Sequence, residues 1–242
     1  MAGLTPTPGA PERRAVRAMF DGIAPRYDFL NRVLSAGIDR AWRRVCVDEL
    51  AFQVPSRVLD VCTGTADLMV EFLRREPGHR ASGIDLSLEM LRRGAAKLDA
   101  HGMGRRSSMG AADAEKLPFA DCSFDGAMVA FGIRNVADPL AALREMYRVL
   151  KPGASRAVVL EFSVPKGALG ALYRLYFSQI LPRIGGLVSG NAGAYRYLPD
   201  SVDRFPAPAE FVALMEDAGF SRVKCRPLTR GIAYVYRGER RS

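Results

Sequence analysis

The feature that most constrains the fold is a regular alternation of short apolar runs and amphipathic helical stretches, which begins at Arg57. Ser87 and the pair Asp138-Pro139 are typical of residues that begin helices. Seven runs have the length and composition of strands: residues 57–61, 81–84, 107–112, 124–131, 157–162, 221–227 and 233–236. This alternation predicts an α/β fold with a doubly wound, mostly parallel seven-stranded sheet covered by helices on both faces.

Three segments lie outside this alternation. Residues 1–10 are rich in Pro, Thr and Gly and are expected to be disordered, and residues 11–51 are expected to form an N-terminal helical lid. The sheet domain then covers residues 52–242, with an insertion at residues 164–205 that is rich in tyrosine and phenylalanine. The last two strands follow the insertion and are expected to form an antiparallel hairpin at the end of the sheet.

A candidate binding site follows the first three strands, because ligands of open α/β sheets bind beyond the carboxyl ends of the strands. Strand one runs into a turn in which Asp60 precedes Gly64, a residue that lets the backbone approach a ligand closely. Asp85 ends the second strand, 25 residues after Asp60, and Asp113-Ala114 closes the third. A carboxylate at the second position accepts from ribose hydroxyls, and one at the third can accept from an exocyclic amine.

Together these carboxylates favour an adenosine-containing ligand. The turn is compact and has no dinucleotide fingerprint, which favours S-adenosylmethionine over NAD; Asp60 would attract the ammonium group of its amino-acid part. The alternative at this point is a tight strand–helix turn with no ligand.

Charge and cysteine content bound the remaining function classes. The net charge is +9, and it divides as +2 over residues 1–56, 0 over residues 57–150 and +7 over residues 151–242. Such a balance suits nucleic acid, an anionic membrane or a plain solvated surface, but no nucleic-acid motif is present. Four cysteines without a CxxC pair and two histidines argue against a metal site. No signal peptide or membrane-spanning run is found, so a cytoplasmic protein with reduced thiols is expected.

Several motifs resemble those of the ubiquinone/menaquinone biosynthesis C-methyltransferases, which are class I S-adenosylmethionine-dependent methyltransferases with a Rossmann-like fold. The likeness covers about residues 19–237. It is carried by Met19–Asp28 (MFDGIAPRYD), Leu30-Asn31, Leu34–Gly37, Arg40–Arg43, Ala130–Val136 (AFGIRNV), Tyr147–Gly153 (YRVLKPG), Leu160–Ser163 (LEFS), Tyr197–Ser201 (YLPDS) and Phe205-Pro206.

The resemblance implies a cofactor site and two departures from the family pattern. The implied cofactor contacts fall on Thr65, Asp85, Asp113 and Ala114, beside Gly64 and Asp60 of the turn. Ala66 replaces a glycine found in many members and is expected to have a negative φ, since its methyl group is otherwise strained. Ala130 replaces a serine that touches the cofactor, which removes a polar contact of about 1 kcal/mol. The Cys-x-Gly-Thr-Ala-Asp form of the turn is more like that of menaquinone-only members than of dual ubiquinone members.

The implied reaction is methylation of a ring carbon of demethylmenaquinol, a prenylated naphthoquinol. Ionising a phenolic hydroxyl makes the neighbouring ring carbon nucleophilic, so the enzyme must assist deprotonation and stabilise phenolate charge. Arg134 is expected to stabilise the phenolate or to organise a water that takes its proton, Asn135 to orient the hydroxyl, and Tyr27 to assist from the lid. The alternative for Arg134 is an ion pair with a nearby acid.

The insertion suits a substrate with an isoprenoid tail. One predicted helical side is expected to guide the tail and to rest on an anionic membrane, beside Arg174 and Arg183; the alternative is a simple lid over the core. That side is formed by Leu169, Leu172, Leu175, Tyr176 and Ile180. Dual quinone specificity, another small-molecule methyl acceptor and a homodimer also remain open, whereas a nucleic-acid partner and an NAD oxidoreductase are disfavoured.

Overall fold

The computed structural model describes residues 13–35, 37–52, 54–153, 155–165 and 192–241. The predictions for residues 1–10 and for most of the insertion, including its apolar side and Arg174 and Arg183, lie outside the described residues. Eight helices are described in those ranges: α1 (Arg13–Ile23), α2 (Tyr27–Leu34), α3 (Asp39–Leu50), α4 (Asp67–Leu73), α5 (Leu88–Ala100), α6 (Pro139–Val149), α7 (Ala192–Arg204) and α8 (Pro208–Asp217).

The described strands form one seven-stranded sheet in the order β3-β2-β1-β4-β5-β7-β6. All neighbours are parallel except β7, which lies antiparallel between β5 and β6. The predicted fold class and the terminal antiparallel hairpin are therefore confirmed. The strands are β1 (Arg57–Val61), β2 (Arg80–Asp85), β3 (Ser107–Ala111), β4 (Gly126–Ala130), β5 (Arg156–Phe162), β6 (Ser221–Leu228) and β7 (Ala233–Glu239).

The hydrophobic core has two layers, one on each face of the sheet. In β1, Val58 belongs to one cluster and Leu59 to the other, as expected for a parallel strand buried on both faces. Helix α3 packs on the first face through buried Trp42 and Leu50, so it covers the sheet beside α4. The prediction of a lid over residues 11–51 is therefore wrong for α3, which belongs to the core; within that segment, only α1 and α2 contribute residues to the cavity described below, and they are called the lid from here on. Helices α6 and α8 cover the second face through side chains such as Phe211.

Helix starts follow the predicted capping chemistry. Ser87 accepts a hydrogen bond from the Met90 amide at 3.1 Å and begins α5, and Asp138 accepts from the Ala141 amide at 3.0 Å and begins α6. The carboxyl end of α6 is held differently: the Arg240 guanidinium donates to the carbonyls of Tyr147, Arg148 and Leu150 at 2.6–2.8 Å. Arg240 therefore caps the carboxyl end of a helix that lies about 90 residues earlier in the sequence.

Strand β1 has the predicted bounds, five further strands differ from theirs by one or two residues, and β7 extends three residues beyond its prediction. The end of β4 differs for a physical reason. Strand β4 ends at Ala130, because Phe131 turns into the left-handed region with φ +58° while its amide still donates to the Leu160 carbonyl at 2.8 Å. Among the helices of the described ranges, none is both long and apolar enough to cross a membrane.

Candidate functional site

A cavity opens at the carboxyl ends of β1, β2 and β4, at the point where the strand order reverses. Its lining includes six residues that the sequence singles out, namely Tyr27, Gly64, Asp85, Asp113, Ala114 and Asn135. Its roof comes from the lid helices through Arg13, Val16, Arg17 and Phe20. The other three predicted site residues do not line the cavity: these are Asp60, Thr65 and Arg134.

Asp85 is the carboxylate that organises the cavity floor. One of its oxygens accepts from the Gly64 amide at 2.9 Å and the other from the Ser87 amide at 2.9 Å, so the carboxylate joins the first turn to the start of α5. Burial raises the pKa of Asp85, and the backbone donors oppose that shift. Each carboxylate oxygen has further lone pairs, which are available to hydroxyl donors in the cavity.

Asp60 lies beneath the turn, 1% exposed, and accepts a hydrogen bond from the Thr63 hydroxyl at 2.6 Å. Burial raises the pKa of Asp60 to about 7, and the Thr63 hydrogen bond only partly offsets this. The sequence places Asp60 among the cofactor contacts; the geometry makes it a buried support of the turn that titrates near neutral pH.

The turn contains several residues in the left-handed region of backbone space. Gly64 has φ +54°, and Cys62 and Ala66 have φ +53° and +63°. The expectation of a negative φ at Ala66 is therefore wrong: Ala66 accepts strain of about 1 kcal/mol and is fully buried at the start of α4. Strained backbone of this kind clusters at ligand sites.

A second close approach lies beside the turn. A β-carbon added to Gly132 would lie 2.4 Å from the Cys62 β-carbon, so only glycine permits the β4 exit to pack on the β1 exit. Neither Cys62 nor Gly132 stands out in the sequence as a cavity residue, although both line the wall. The AFGIRN block was the available signal, because its glycine directly follows a predicted strand.

The lid is tied to residues of the cofactor set. Asp28 accepts from the Thr65 hydroxyl at 2.5 Å and forms an ion pair with Lys97 at 2.6 Å. Asp21 accepts from the Ser87 hydroxyl at 2.5 Å. Arg13 lies 3.3 Å from Asp113 and also pairs with Glu115. The lid therefore contacts the ends of three successive strands, and the Thr65 hydroxyl is directed at the lid.

Arg134 is part of a buried ion pair. Its guanidinium contacts Glu161 at 2.6 Å, and the side chains are 7% and 0% exposed. It also donates to the Phe131 carbonyl at 2.6 Å and to the Ser201 hydroxyl at 3.3 Å. Burial raises the pKa of Glu161, and the Arg134 charge opposes that shift. Sequence reasoning missed Glu161 as a site residue, although it lies in the LEFS segment.

Two buried polar atoms near this pair have no hydrogen-bond partner among the described residues: Asn135 Oδ1 and the Tyr197 hydroxyl. Asn135 lines the cavity, and its amide nitrogen donates to the Phe131 carbonyl at 3.4 Å. Such orphaned atoms point to an absent polar ligand, because buried polar groups are normally paired. Tyr27 lines the same cavity, and burial raises the pKa of its hydroxyl, which is therefore neutral at pH 7.

These residues fit S-adenosylmethionine. Gly64 offers an open backbone, Asp85 and Asp113 offer carboxylates in the cavity wall, and Ala114 offers an apolar surface for an adenine ring. Within the described ranges, no group of three metal-ligating side chains occurs.

Comparison with known proteins gives a family match over nearly the whole chain. The sequence model of the ubiE/COQ5 methyltransferase family matches residues 9–240. The chain is 51% identical to the ubiquinone/menaquinone biosynthesis C-methyltransferase UbiE of Geotalea daltonii, over 93% of this chain and 96% of that one. It is also 51% identical to the demethylmenaquinone methyltransferase of Thermus thermophilus, over 92% of this chain and all of that one.

Solved structures share the fold at low sequence identity. A putative methyltransferase bound to the Trm112 activator of Haloferax volcanii superposes with a TM-score of 0.66 at 19% identity, over 92% of this chain and 98% of that one. A possible histamine N-methyltransferase from Thermotoga maritima gives a TM-score of 0.63 at 21% identity, over 93% and 100%. At this identity the likeness concerns the fold alone.

Proposed function

Because this chain belongs to the ubiE/COQ5 methyltransferase family, we propose that it transfers a methyl group from S-adenosylmethionine to a ring carbon of demethylmenaquinol, giving menaquinol. The observation that carries the proposal is that four predicted cofactor residues, Gly64, Asp85, Asp113 and Ala114, line the same cavity as Tyr27 and Asn135. The demethylmenaquinone methyltransferases of Thermus thermophilus and Deinococcus radiodurans, 51% and 50% identical, support the choice of substrate.

Methyl transfer forms one C–C bond and breaks one C–S bond. The ring carbon beside an ionised hydroxyl attacks the methyl carbon, and S-adenosylhomocysteine leaves. The ring then loses the proton of the methylated carbon and becomes aromatic again. When bound, S-adenosylmethionine supplies an electrophilic methyl group on a positively charged sulfur.

The protein's own residues bind, align and stabilise charge. Asp85 and Asp113 would hold the methyl donor by accepting from its hydroxyl and amine groups. Asn135 Oδ1, which has no described partner, would accept a hydrogen bond from the substrate hydroxyl and so orient the ring. The neutral Tyr27 hydroxyl would donate to the developing phenolate from the lid.

Arg134 forms the ion pair with an acid that the sequence leaves as an alternative, since Glu161 balances its charge. Arg134 is not among the residues that line the cavity, so we assign it stabilisation of phenolate charge through its electrostatic field rather than by contact. Glu161 is then a positioning residue that keeps this guanidinium in one orientation.

A second candidate function is supported by the relatives themselves. The Geotalea daltonii protein is named for both ubiquinone and menaquinone biosynthesis, at the same 51% identity as the menaquinone relative. A dual C-methyltransferase would use the same cavity, with a benzoquinol ring in place of the naphthoquinol. The prenyl tail and a peripheral position at the cytoplasmic face of the membrane belong to both versions of the proposal.

Quinone analysis tests the proposal directly. We expect cells that lack the protein to accumulate demethylmenaquinone by mass spectrometry, and the purified enzyme to methylate the reduced, prenylated naphthoquinol. A parallel assay with the corresponding benzoquinol precursor separates the two versions. Unchanged quinones in the deletion strain, together with no methylation of either quinol, would refute both.

A further inference from the structure

A second concave site lies beside the lid helix α2, where α2, α3, α4 and α5 meet. It is a groove of about 600 Å³ that shares no lining residue with the cofactor cavity. Its walls carry six basic side chains against three acidic ones. The basic side chains are Arg32, Arg40, Arg43, Arg44, Arg74 and Lys97.

The acidic side chains of this groove are already neutralised. Asp28 and Asp67 both contact Lys97, at 2.6 and 2.5 Å, and Asp67 also lies 3.7 Å from Arg43. Glu71 pairs with Arg75 at 3.0 Å. Each acidic side chain of the groove therefore has a basic partner.

Four arginines remain in excess. Arg32, Arg40, Arg44 and Arg74 are exposed, and within the described part of the chain none of them lies within 4.0 Å of a carboxylate. Guanidinium groups that converge on one groove without acidic partners form a strong site for anions, and phosphate oxygens match their geometry.

Two large, exposed apolar side chains lie close in the sequence to two of these arginines, although neither lines the groove. Phe29 is 59% exposed and lies three residues before Arg32 on α2, which places the two on one side of the helix. Ile38 is 40% exposed and lies two residues before Arg40, at the start of α3. A single exposed apolar side chain is ordinary, but a pair beside four uncompensated arginines is the pattern of a membrane-surface site.

We propose that this lid groove is the docking surface for an anionic lipid bilayer: Arg32, Arg40, Arg44 and Arg74 bind lipid phosphates while Phe29 and Ile38 enter the headgroup region. The proposal rests on the proposed function only in that a prenylated quinol is a substrate dissolved in the membrane. It places the contact on the first half of the chain, outside the +7 segment that the charge distribution favours.

Vesicle co-sedimentation of the full-length protein tests the proposal apart from catalysis. We expect binding to vesicles containing phosphatidylglycerol at low salt, weak binding to phosphatidylcholine alone, and loss of binding as salt rises. The double variant Arg40→Glu/Arg44→Glu should bind about 30-fold more weakly or worse, since each basic residue contributes roughly a factor of five at the surface. Phe29→Ser/Ile38→Ser should weaken binding even at low salt.

The matched control is Arg144→Glu/Lys224→Glu, which makes the same charge change at exposed positions on α6 and β6. The control should bind like the unaltered protein, and all variants should keep the same melting temperature and the same turnover of detergent-dispersed quinol. Equal losses in both double variants would overturn the proposal in favour of unspecific charge attraction. Calorimetric binding of inorganic phosphate without vesicle binding would overturn it in favour of a soluble phosphate ligand.

Discussion

At the scale of single residues, Arg134 has two roles that are difficult to tell apart: a catalytic role that the family motif implies, and a structural role in a buried ion pair with Glu161. The motif marks Arg134 as a reactive group, and the structure gives it a fully buried partner, a carbonyl acceptor and a contact over the Phe162 ring. Removing one member of such a pair leaves the other charge buried and alone, which typically costs about 3–5 kcal/mol. Loss of activity in a simple truncation would therefore not identify the role of Arg134.

A pair of variants resolves this ambiguity. Arg134→Ala should lower the free energy of unfolding by about 3–5 kcal/mol, and adding Glu161→Gln should recover much of that loss because the uncompensated carboxylate is gone. Turnover should stay low in both, with near-normal affinity for S-adenosylmethionine. Urea denaturation, methyl-transfer assays and calorimetry give the three readouts. If the double variant regained turnover, Arg134 would be a structural residue only.

Asp60 makes a prediction about pH. Its folded pKa of about 7 lies above the unfolded value, so the folded protein holds an extra proton between about pH 4 and pH 7. Binding of this proton stabilises the folded state; the stabilisation is fully present below pH 4 and is lost as the pH rises through the folded pKa of about 7. Relative to Asp60→Asn, the unaltered protein should be about 3 kcal/mol less stable at pH 8 than at pH 5, by urea denaturation. Parallel stability curves for the two proteins would contradict the buried, raised pKa.

At the scale of elements, the lid is held by few but well-placed contacts. Asp28 joins Thr65 of the turn and Lys97 of α5, and Asp21 accepts from the Ser87 hydroxyl and the Glu89 amide. These contacts explain why a segment outside the sheet has a defined position over the cavity.

Asp28→Asn should loosen the lid and leave the sheet unchanged. The amides of residues 13–34 should exchange hydrogen about tenfold faster, because a charged hydrogen bond of about 1.5 kcal/mol or more is lost. The affinity for S-adenosylmethionine should fall with it. Asp48→Asn, which removes an exposed ion pair with Arg75, serves as the control. Equal exchange in both variants would show that Asp28 does not hold the lid.

The helices and strands were largely predictable from the sequence, whereas the contacts between distant segments were not. Strand β1, the Ser87 and Asp138 caps and the terminal hairpin follow from local periodicity and capping chemistry, which act over a few residues. The left-handed Ala66 and the buried Glu161 depend on packing between distant segments, about which a local pattern carries no information. Four of the six predicted residues that share the cavity, Gly64, Asp85, Asp113 and Ala114, follow from the rule that strand ends meet at one edge of a parallel sheet. The other two, Tyr27 and Asn135, follow from the family resemblance alone.

At the scale of the whole molecule, ligand binding should be visible as stability. S-adenosylmethionine at about one hundred times its dissociation constant should stabilise the folded protein by about 2.7 kcal/mol, which raises the melting temperature by about 5–10 °C at this size. NAD should have no such effect, because no dinucleotide fingerprint is present. Thermal-shift fluorimetry makes the comparison. A similar shift with NAD and none with S-adenosylmethionine would contradict the assigned cofactor.

The position of β7 between β5 and β6 has a consequence for the order of events during synthesis. The second-last strand cannot reach the sheet until the last strand has paired with β5, and the carboxyl end of α6 waits for Arg240. A growing chain can therefore complete this sheet only after residues 233–240 have left the ribosome. Until that moment the edge of β5 is exposed, so a chain that stops before Ala233 is expected to be a target for chaperones and proteases rather than a partly active enzyme.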